Sequence, residues 1–356
     1  MNFRLIVFIF FFVTGIVFFN SCSTTKHNSK KGKTLVIYPA PPDTARIQYL
    51  TSYSSSTDVT GGQNKVMKTI FGEEGPKIIS KPMGIEINKN KIYICDIDIG
   101  GLEIIDLEKN KFDFFVPEGK GALKLPLNCF VDEKGFLYIA DGNRRQIVIF
   151  NEQGNYVNAF GQEGDYKPTD VFVYDNKIWV VNIKNQVDVY DVDQGNKFLF
   201  SFPKKEDDKI GNLYQPTNIY IQDNKIYVTD FGDFKIKIYT LDGEFLNSVG
   251  SYGKNVGQFV RPKGIAVDNE SNLYVVDAGF ENTQIFDKGS RLLMFFGGTY
   301  NGPGGMYLPS GITIDYNHLK YYEKFVDPDF HLKYLIFITN QYGPDKVNVY
   351  GAIEPK

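Results

Sequence analysis

Asn128, Asp170 and Asn218 each stand two residues after a proline that opens a short apolar run, in three successive copies of a repeated pattern. If the repeats are arranged round an axis, these side-chain oxygens form an arc, and oxygen ligands in an arc are what Ca²⁺ takes. In the other three copies the matching residue is Gly84, Gly264 or Gly311. The plainer chemistry of the same positions is structural: Asn and Asp cap turns, and Gly permits a tight chain entry. Other reactive constellations are missing. The histidines are His27, His318 and His331, too few and too scattered for a centre built on several His ligands. No Gly-rich phosphate loop and no Gly-x-Ser-x-Gly elbow occurs. With 39 basic and 42 acidic residues the charge is nearly balanced, which argues against a nucleic-acid surface.

The elements that position these residues follow from the repeat itself. The opening prolines are Pro82, Pro126, Pro168, Pro216, Pro262 and Pro309, spaced by 44, 42, 48, 46 and 47 residues. The fifth copy is the clearest: Arg261-Pro262-Lys263-Gly264-Ile265-Ala266-Val267-Asp268, then Leu273-Tyr274-Val275-Val276-Asp277, then Gln284-Ile285-Phe286-Asp287. A period near 45 made only of short strands is the mark of a β-propeller blade. The expected fold is therefore all-β, a six-bladed β-propeller of four-stranded antiparallel blades over residues 45–356. In blade two the strands fall at 129–132, 136–140, 146–150 and 156–160, rich in Val, Ile, Tyr and Phe and bounded by Gly, Asn or Asp. One blade cannot bury both faces of its sheet, so blades pack flank to flank; an aromatic content of 15% supplies the filling. The residue after the second strand is Asp96, Asp141, Asn182, Asp230, Asp277 or Asn340, expected as a turn brace because Asx side chains accept nearby backbone N–H groups.

The last copy has only three strands of its own, at 311–315, 334–339 and 346–350. An open ring would leave a bare sheet edge. The lone strand-like run Arg46-Ile47-Gln48-Tyr49-Leu50-Thr51-Ser52 is expected to complete blade six. Blade six also carries an aromatic and charged insertion, Tyr316–Lys333, read either as a partner-binding loop or as an elaborated surface turn.

The motif Pro-x-Gly-Ile-x-Val-Asp, Leu-Tyr-Val-x-Asp, with Asp141-Gly142-Asn143-Arg144-Arg145-Gln146-Ile147-Val148-Ile149-Phe150 in blade two, resembles the NHL-type six-bladed propeller over residues 45–351. Arg144 stands where that family often has His. No Gly-His or Trp-Asp dipeptide recurs, and no repeated Gly-Gly pair, so the WD and Kelch types fit poorly. Lactonase and paraoxonase propellers are similar in fold and in placing Asn, Asp and Glu round a central metal. That similarity implies a Ca-dependent hydrolase as the alternative function, with Asn128, Asp170 and Asn218 as ligands.

Arg4 precedes an apolar run from Leu5 to Phe19, too short to span a bilayer and the right length for a signal-peptide core. It ends at Phe19-Asn20-Ser21-Cys22, which resembles the processing site of bacterial lipoproteins and implies cleavage before Cys22 and lipid attachment to its sulfur. Residues 1–21 then form a signal peptide and 22–44 a lipidated Cys with a polar, basic tether, Ser23 favouring outer-membrane sorting. The resemblance implies an exported protein held to the envelope by lipid, facing the periplasm. There Cys95 and Cys129 could pair as a disulfide or remain buried thiols.

The working face is expected at the channel mouth, where the inner strands begin. The turns after the second strands supply its outer rim: Arg144, Arg145, Lys184, Asp233, Phe234, Lys235, Phe280 and Tyr342. Mixed charge with aromatics suits a protein or glycan partner. The leading expectation is a monomeric, non-enzymatic binding module with no cofactor and no nucleic-acid partner.

Overall fold

A computed structural model describes residues 35–61, 75–161, 166–204 and 210–356. Cys22 and the expected signal peptide lie outside the described residues. Six antiparallel sheets make six blades. Their inner strands are Pro82–Asn88, Pro126–Val131, Pro168–Tyr174, Pro216–Gln222, Pro262–Val267 and Pro309–Asp315. Each inner strand touches the next, and the sixth touches the first, so the ring is closed. Every inner strand starts at its proline, whose missing N–H is harmless at a strand's first residue. Each second strand then returns to the face from which the first began; Pro82 lies opposite Asp96, and Pro126 opposite Asp141. We call this the entry face and the opposite one the far face. On the far face Asp175-Asn176 and Asp223-Asn224 both adopt positive φ, the two-residue hairpin turn whose twist matches that of the strands.

The core lies between blades. One cluster joins Trp179, Val187 and Phe202 of blade three to Ile219, Val228 and Tyr239 of blade four. Another joins Leu335, Phe337 and Val349 of blade six to Ile85, Ile94 and Phe112 of blade one. Burying each such side chain contributes about 1.5–3 kcal/mol, and half of it is lost if the neighbouring blade is absent. Where blades five, six and one meet at the axis, the inner strands come so close that Gly264 and Gly311 have no room for a side chain. A Cβ on Gly264 would lie 2.5 Å from the Ser310 carbonyl oxygen, and one on Gly311 2.6 Å from that of Met83.

Blade six is built from both ends of the folded region. Ile47–Tyr53 pairs with Val347–Pro355, Ile47 opposite Ala352 and Tyr53 opposite Val347. The expected closing strand is therefore in place. Upstream, Ile37–Tyr38 pair with Gln48 and Ile47 as a short fifth strand, and the Tyr38 ring lies 6.2 Å from Phe296. The insertion is neither a free loop nor a plain turn. Its last four residues, 330–333, are strand, since Phe330–Asn340 extends the second strand of the blade. Its first half carries two single-turn helices around the fully buried Tyr322. The Tyr322 and Tyr53 hydroxyls are 2.9 Å apart. Gln48 donates to the Phe325 carbonyl at 2.9 Å and accepts from the Asp327 N–H at 3.0 Å. The insertion thus clasps the closing strand.

A buried polar residue recurs in the third strands, paired with the residue two before each Asx brace: Glu103, Asp188, Lys237, Gln284 and Asn348, with Val148 in blade two. Three of the five are satisfied, and in a fourth, Asn348, the amide N–H is partnered but the oxygen has no partner among the described residues. Asp188 accepts from Asn182 and Ser201, Lys237 pairs with Asp230 at 3.0 Å, Gln284 bonds the backbone of Gly257 and Gln258, and Asn348 donates to the Gly305 carbonyl. Glu103 is fully buried and neither carboxyl oxygen has a hydrogen-bond partner among the described residues.

Candidate functional site

The Asx residues are braces. Asp96 accepts the N–H groups of Ser80, Lys81 and Asp98, tying the turn after its own strand to the segment entering the blade. Asp141 does the same for Lys124, Leu125 and Arg144, and Asp277 for Val260, Arg261 and Gly279. Asn340 holds Tyr307 N–H with its oxygen and the Asp345 carbonyl with its amide. A carboxylate at this place fixes two loops at once, which makes the entry face rigid.

Inside that face Asn128, Asp170 and Asn218 do come together. With Gly264 and Gly311 they line a neck of about 40 Å³ on the axis, room for a water molecule or two. Asp170 is almost fully buried. Its carboxylate accepts the Val171 N–H at 2.7 Å, the Ile219 N–H at 2.9 Å and the Asn218 amide at 3.4 Å. Burial pushes its pKa up to about 7, although these donors pull the other way. The arc has the residue types that a hard cation accepts. As placed it supplies one charge, both oxygens of which already hold N–H donors, and glycine backbone faces it. Among the described residues no group of three or more His, Cys, Asp or Glu is placed to hold a metal.

The expected rim residues occupy the turns of five successive blades and form a circle, not a cluster. Arg144 is turned inward to the fold: its guanidinium donates to Gln146 at 2.7 Å and to the Ala122 carbonyl at 2.8 Å and lies over the Tyr156 ring. Arg145 is exposed at positive φ. Asp233 pairs with Lys235 at 3.2 Å and with buried Lys237 at 2.9 Å, so two rim charges offset each other. Lys184 is exposed and borders a polar cavity of about 410 Å³ with Gln186, Ser201, Lys204 and Asn212. Phe280 is half-buried above Asp277, which accepts its N–H. The Phe234 ring packs 4.7 Å from Tyr252, and Tyr342 is 55% exposed with the Lys81 ammonium 5.5 Å above its ring. Two further aromatics on this face, Tyr214 and Tyr252, are 53% and 64% exposed. They sit in the connectors between blades, outside the repeat, so the motif reading passed over them.

Below the neck the channel is lined by the residue four after each proline. That layer holds Glu86, Phe130, Phe172 and Tyr220, then small Ala266 and Thr313. The Phe130 and Phe172 rings are 4.5 Å apart, and Phe172 and Tyr220 5.2 Å. Glu86, Phe130 and Phe172 also line a cavity of about 950 Å³ that opens on the far face between blades two and three. The signal for this layer was strand alternation: a residue two beyond Asn128 or Asp170 must face the same way. Elsewhere, Cys95 and Cys129 are free thiols buried in one apolar cluster. Their mutual hydrogen bond and burial push the Cys129 thiol far up.

A family model described as a 6-bladed beta-propeller matches residues 205–288, spanning blade four and most of blade five. No curated protein matches the sequence. Similar solved structures include a streptogramin B lyase, at 15% identity and TM-score 0.52, covering 76% of this chain and 83% of that one. A catalytically inactive virginiamycin B lyase from Staphylococcus aureus with quinupristin matches at 15% identity and TM-score 0.53, covering 77% and 95%. A structural genomics protein of unknown function from Bacteroides thetaiotaomicron matches at 18% identity and TM-score 0.59, covering 86% and 76%. At these identities the likeness is one of fold.

Proposed function

We propose that this chain is a non-enzymatic binding propeller of the NHL type, exported and held to the cell envelope by a lipid on Cys22, presenting its entry face to a protein or glycan partner. The observation that carries the reading is the set of exposed aromatics on that face, Tyr214, Tyr252 and Tyr342, standing on turns held by buried Asx braces. Rigid aromatic rings give large contact area at small entropic cost, and they stack on sugar or peptide alike. The polar cavity beside Lys184 adds hydrogen-bonding groups suited to hydroxyls. Among the described residues no helix is long and apolar enough to cross a membrane; the proposed attachment is by the lipid alone, with the outer membrane as the destination. The test replaces Tyr214, Tyr252 and Tyr342 together by Ser. The variant should melt like the parent yet lose capture of crosslinked envelope proteins and retention on envelope glycans. Unchanged capture and retention would remove the entry face from the function. Cys22→Ala should release the protein from the membrane fraction; continued fractionation with membranes would sink the anchor.

A second reading is a Ca-dependent hydrolase centred on the neck. Its support is the convergence of Asn128, Asp170 and Asn218 on one small cavity. If it holds, Ca²⁺ raises the melting temperature, EDTA lowers it, and Asp170→Asn abolishes both effects. No response to either reagent refutes it.

A further inference from the structure

We propose that the far-face cavity is a second binding site, distinct from the entry face, for a small organic amine with an aromatic or otherwise apolar body. Three observations carry this. The first is size and wall. The cavity is about 950 Å³ and its sides are Phe136, Tyr138, Ile149, Val157, Phe172 and Val192, with Val157 48% exposed. That volume and lining suit one small molecule.

The second is its inner end. Glu86, Phe130 and Phe172 line both this cavity and the neck, so they stand where the two meet. Three rings in mutual contact, Phe130 tilted on Phe172 and Phe172 edge-on to Tyr220, sit with one carboxyl in the same layer. Rings around an acid are the surroundings an ammonium group seeks, by attraction to both the π faces and the charge.

The third is the charge around Glu86. The charged groups acting on it are the carboxyls of Asp170 and Asp315, and no cation is among them. Burial, then these acids, push its pKa up to about 8. Among the described residues lining the cavity, Lys134 is the basic one, and it is exposed in a turn at the rim. An incoming ammonium therefore meets an acid with no competing cation, and its positive charge favours the carboxylate form of Glu86. An incoming carboxylate finds no cation at this end of the cavity to pair with.

The experiment is titration calorimetry of the full chain with tryptamine and 2-naphthylmethylamine, and with 3-methylindole and indole-3-acetate as the neutral and anionic counterparts. The amines should bind at one site per chain and indole-3-acetate at least tenfold more weakly. Glu86→Gln should weaken the amines at least tenfold and leave 3-methylindole within twofold. Phe172→Leu should weaken amines and 3-methylindole together. Tyr252→Ser on the entry face should change nothing, which separates this site from the proposed partner surface. The proposal is overturned if neither amine saturates, if indole-3-acetate binds as tightly as tryptamine, or if Glu86→Gln leaves the amines unaffected. Glu86→Gln keeps the shape and removes a half-buried acid whose pKa is raised, so it should melt no lower than the parent, and a melting temperature at or above the parent's confirms that any loss of binding is local.

Discussion

Replacing Glu103 by Gln should make the protein more stable, and by an amount that depends on pH in a stated way. Glu103 is fully buried in the third strand of blade one, its oxygens have no hydrogen-bond partner among the described residues, and burial followed by the charge of Asp96 raises its pKa from 4.5 to about 10. The folded protein thus keeps a proton on Glu103 that the unfolded chain releases above its ordinary carboxylate range. A folded pKa raised above the unfolded one gives stability that is fully present below about pH 4.5 and is lost as pH rises toward the folded value. At pH 7 the loss is roughly 2.5 pH units at about 1.4 kcal/mol each, or about 3 kcal/mol. That figure hardly depends on the folded value as long as it lies above about 8, because the proton is then fully retained at pH 7. Gln carries nearly the same shape and, like the protonated acid, is neutral with both donor and acceptor, but it has no proton to lose or hold. The wild type and Glu103→Gln should therefore be nearly equal in chemical denaturation at about pH 4.5. They should diverge by about 1.4 kcal/mol per pH unit above it, with the variant ahead by about 3 kcal/mol at pH 7. Parallel stability profiles from about pH 5 to about pH 8 would refute the reasoning and show that the folded state admits the charge.

Lys237→Met should cost about 3–5 kcal/mol by chemical denaturation, since it leaves Asp230 and Asp233 without their buried cation; adding Asp230→Asn should recover part of the loss, and equal instability of single and double variants would deny the coupling. Gly264→Ala should destabilise by about 1–3 kcal/mol or more, because its methyl meets the Ser310 carbonyl, whereas Gly75→Ala, in open space, should be neutral in the same melt. Tyr322→Phe removes one buried hydroxyl pair with Tyr53 and should cost about 1 kcal/mol; Tyr322→Ala should cost about 3–5 kcal/mol and loosen hydrogen-exchange protection of Ile47–Tyr53 first. Uniform loss of protection across all blades would mean that the insertion does not clasp the closing strand.

The repeat carried the architecture because each blade writes its own local rules. Proline opens the inner strand, an Asx residue ties two loops, and Gly or Asn faces the axis. Even the closing strand was legible, since Ile47–Tyr53 reads as an extended run upstream of the first blade and outside the repeat. The site was less so. Arg144 reads as a rim charge until its guanidinium is seen on the Ala122 carbonyl, a contact set by how one connector folds over the next turn. Tyr322 reads as a loop aromatic, because its partner Tyr53 lies at the opposite end of the folded region. The far-face cavity is assembled from residues of blades one to four, and no single stretch of sequence announces it. Lys237 and Glu103 share one position as a base and an acid, so a pattern search for like residues misses the buried polar row they belong to.

The seam in blade six puts a clock on biosynthesis. Five blades are each finished from one contiguous stretch, but Ile47 must wait for Ala352, about 300 residues later. At translation rates of about 5–20 residues per second, that is a delay of roughly 15–60 s. Throughout it the nascent chain is an open arc with two unsatisfied ends. Leu50 and Tyr53 have no core to enter, and the flank of blade one at Ile85, Ile92 and Ile94 has no sixth blade against it. At high expression, the free strand of one molecule can meet the gap of another. The same hydrogen bonds that close the ring would then link two chains in a swapped pair.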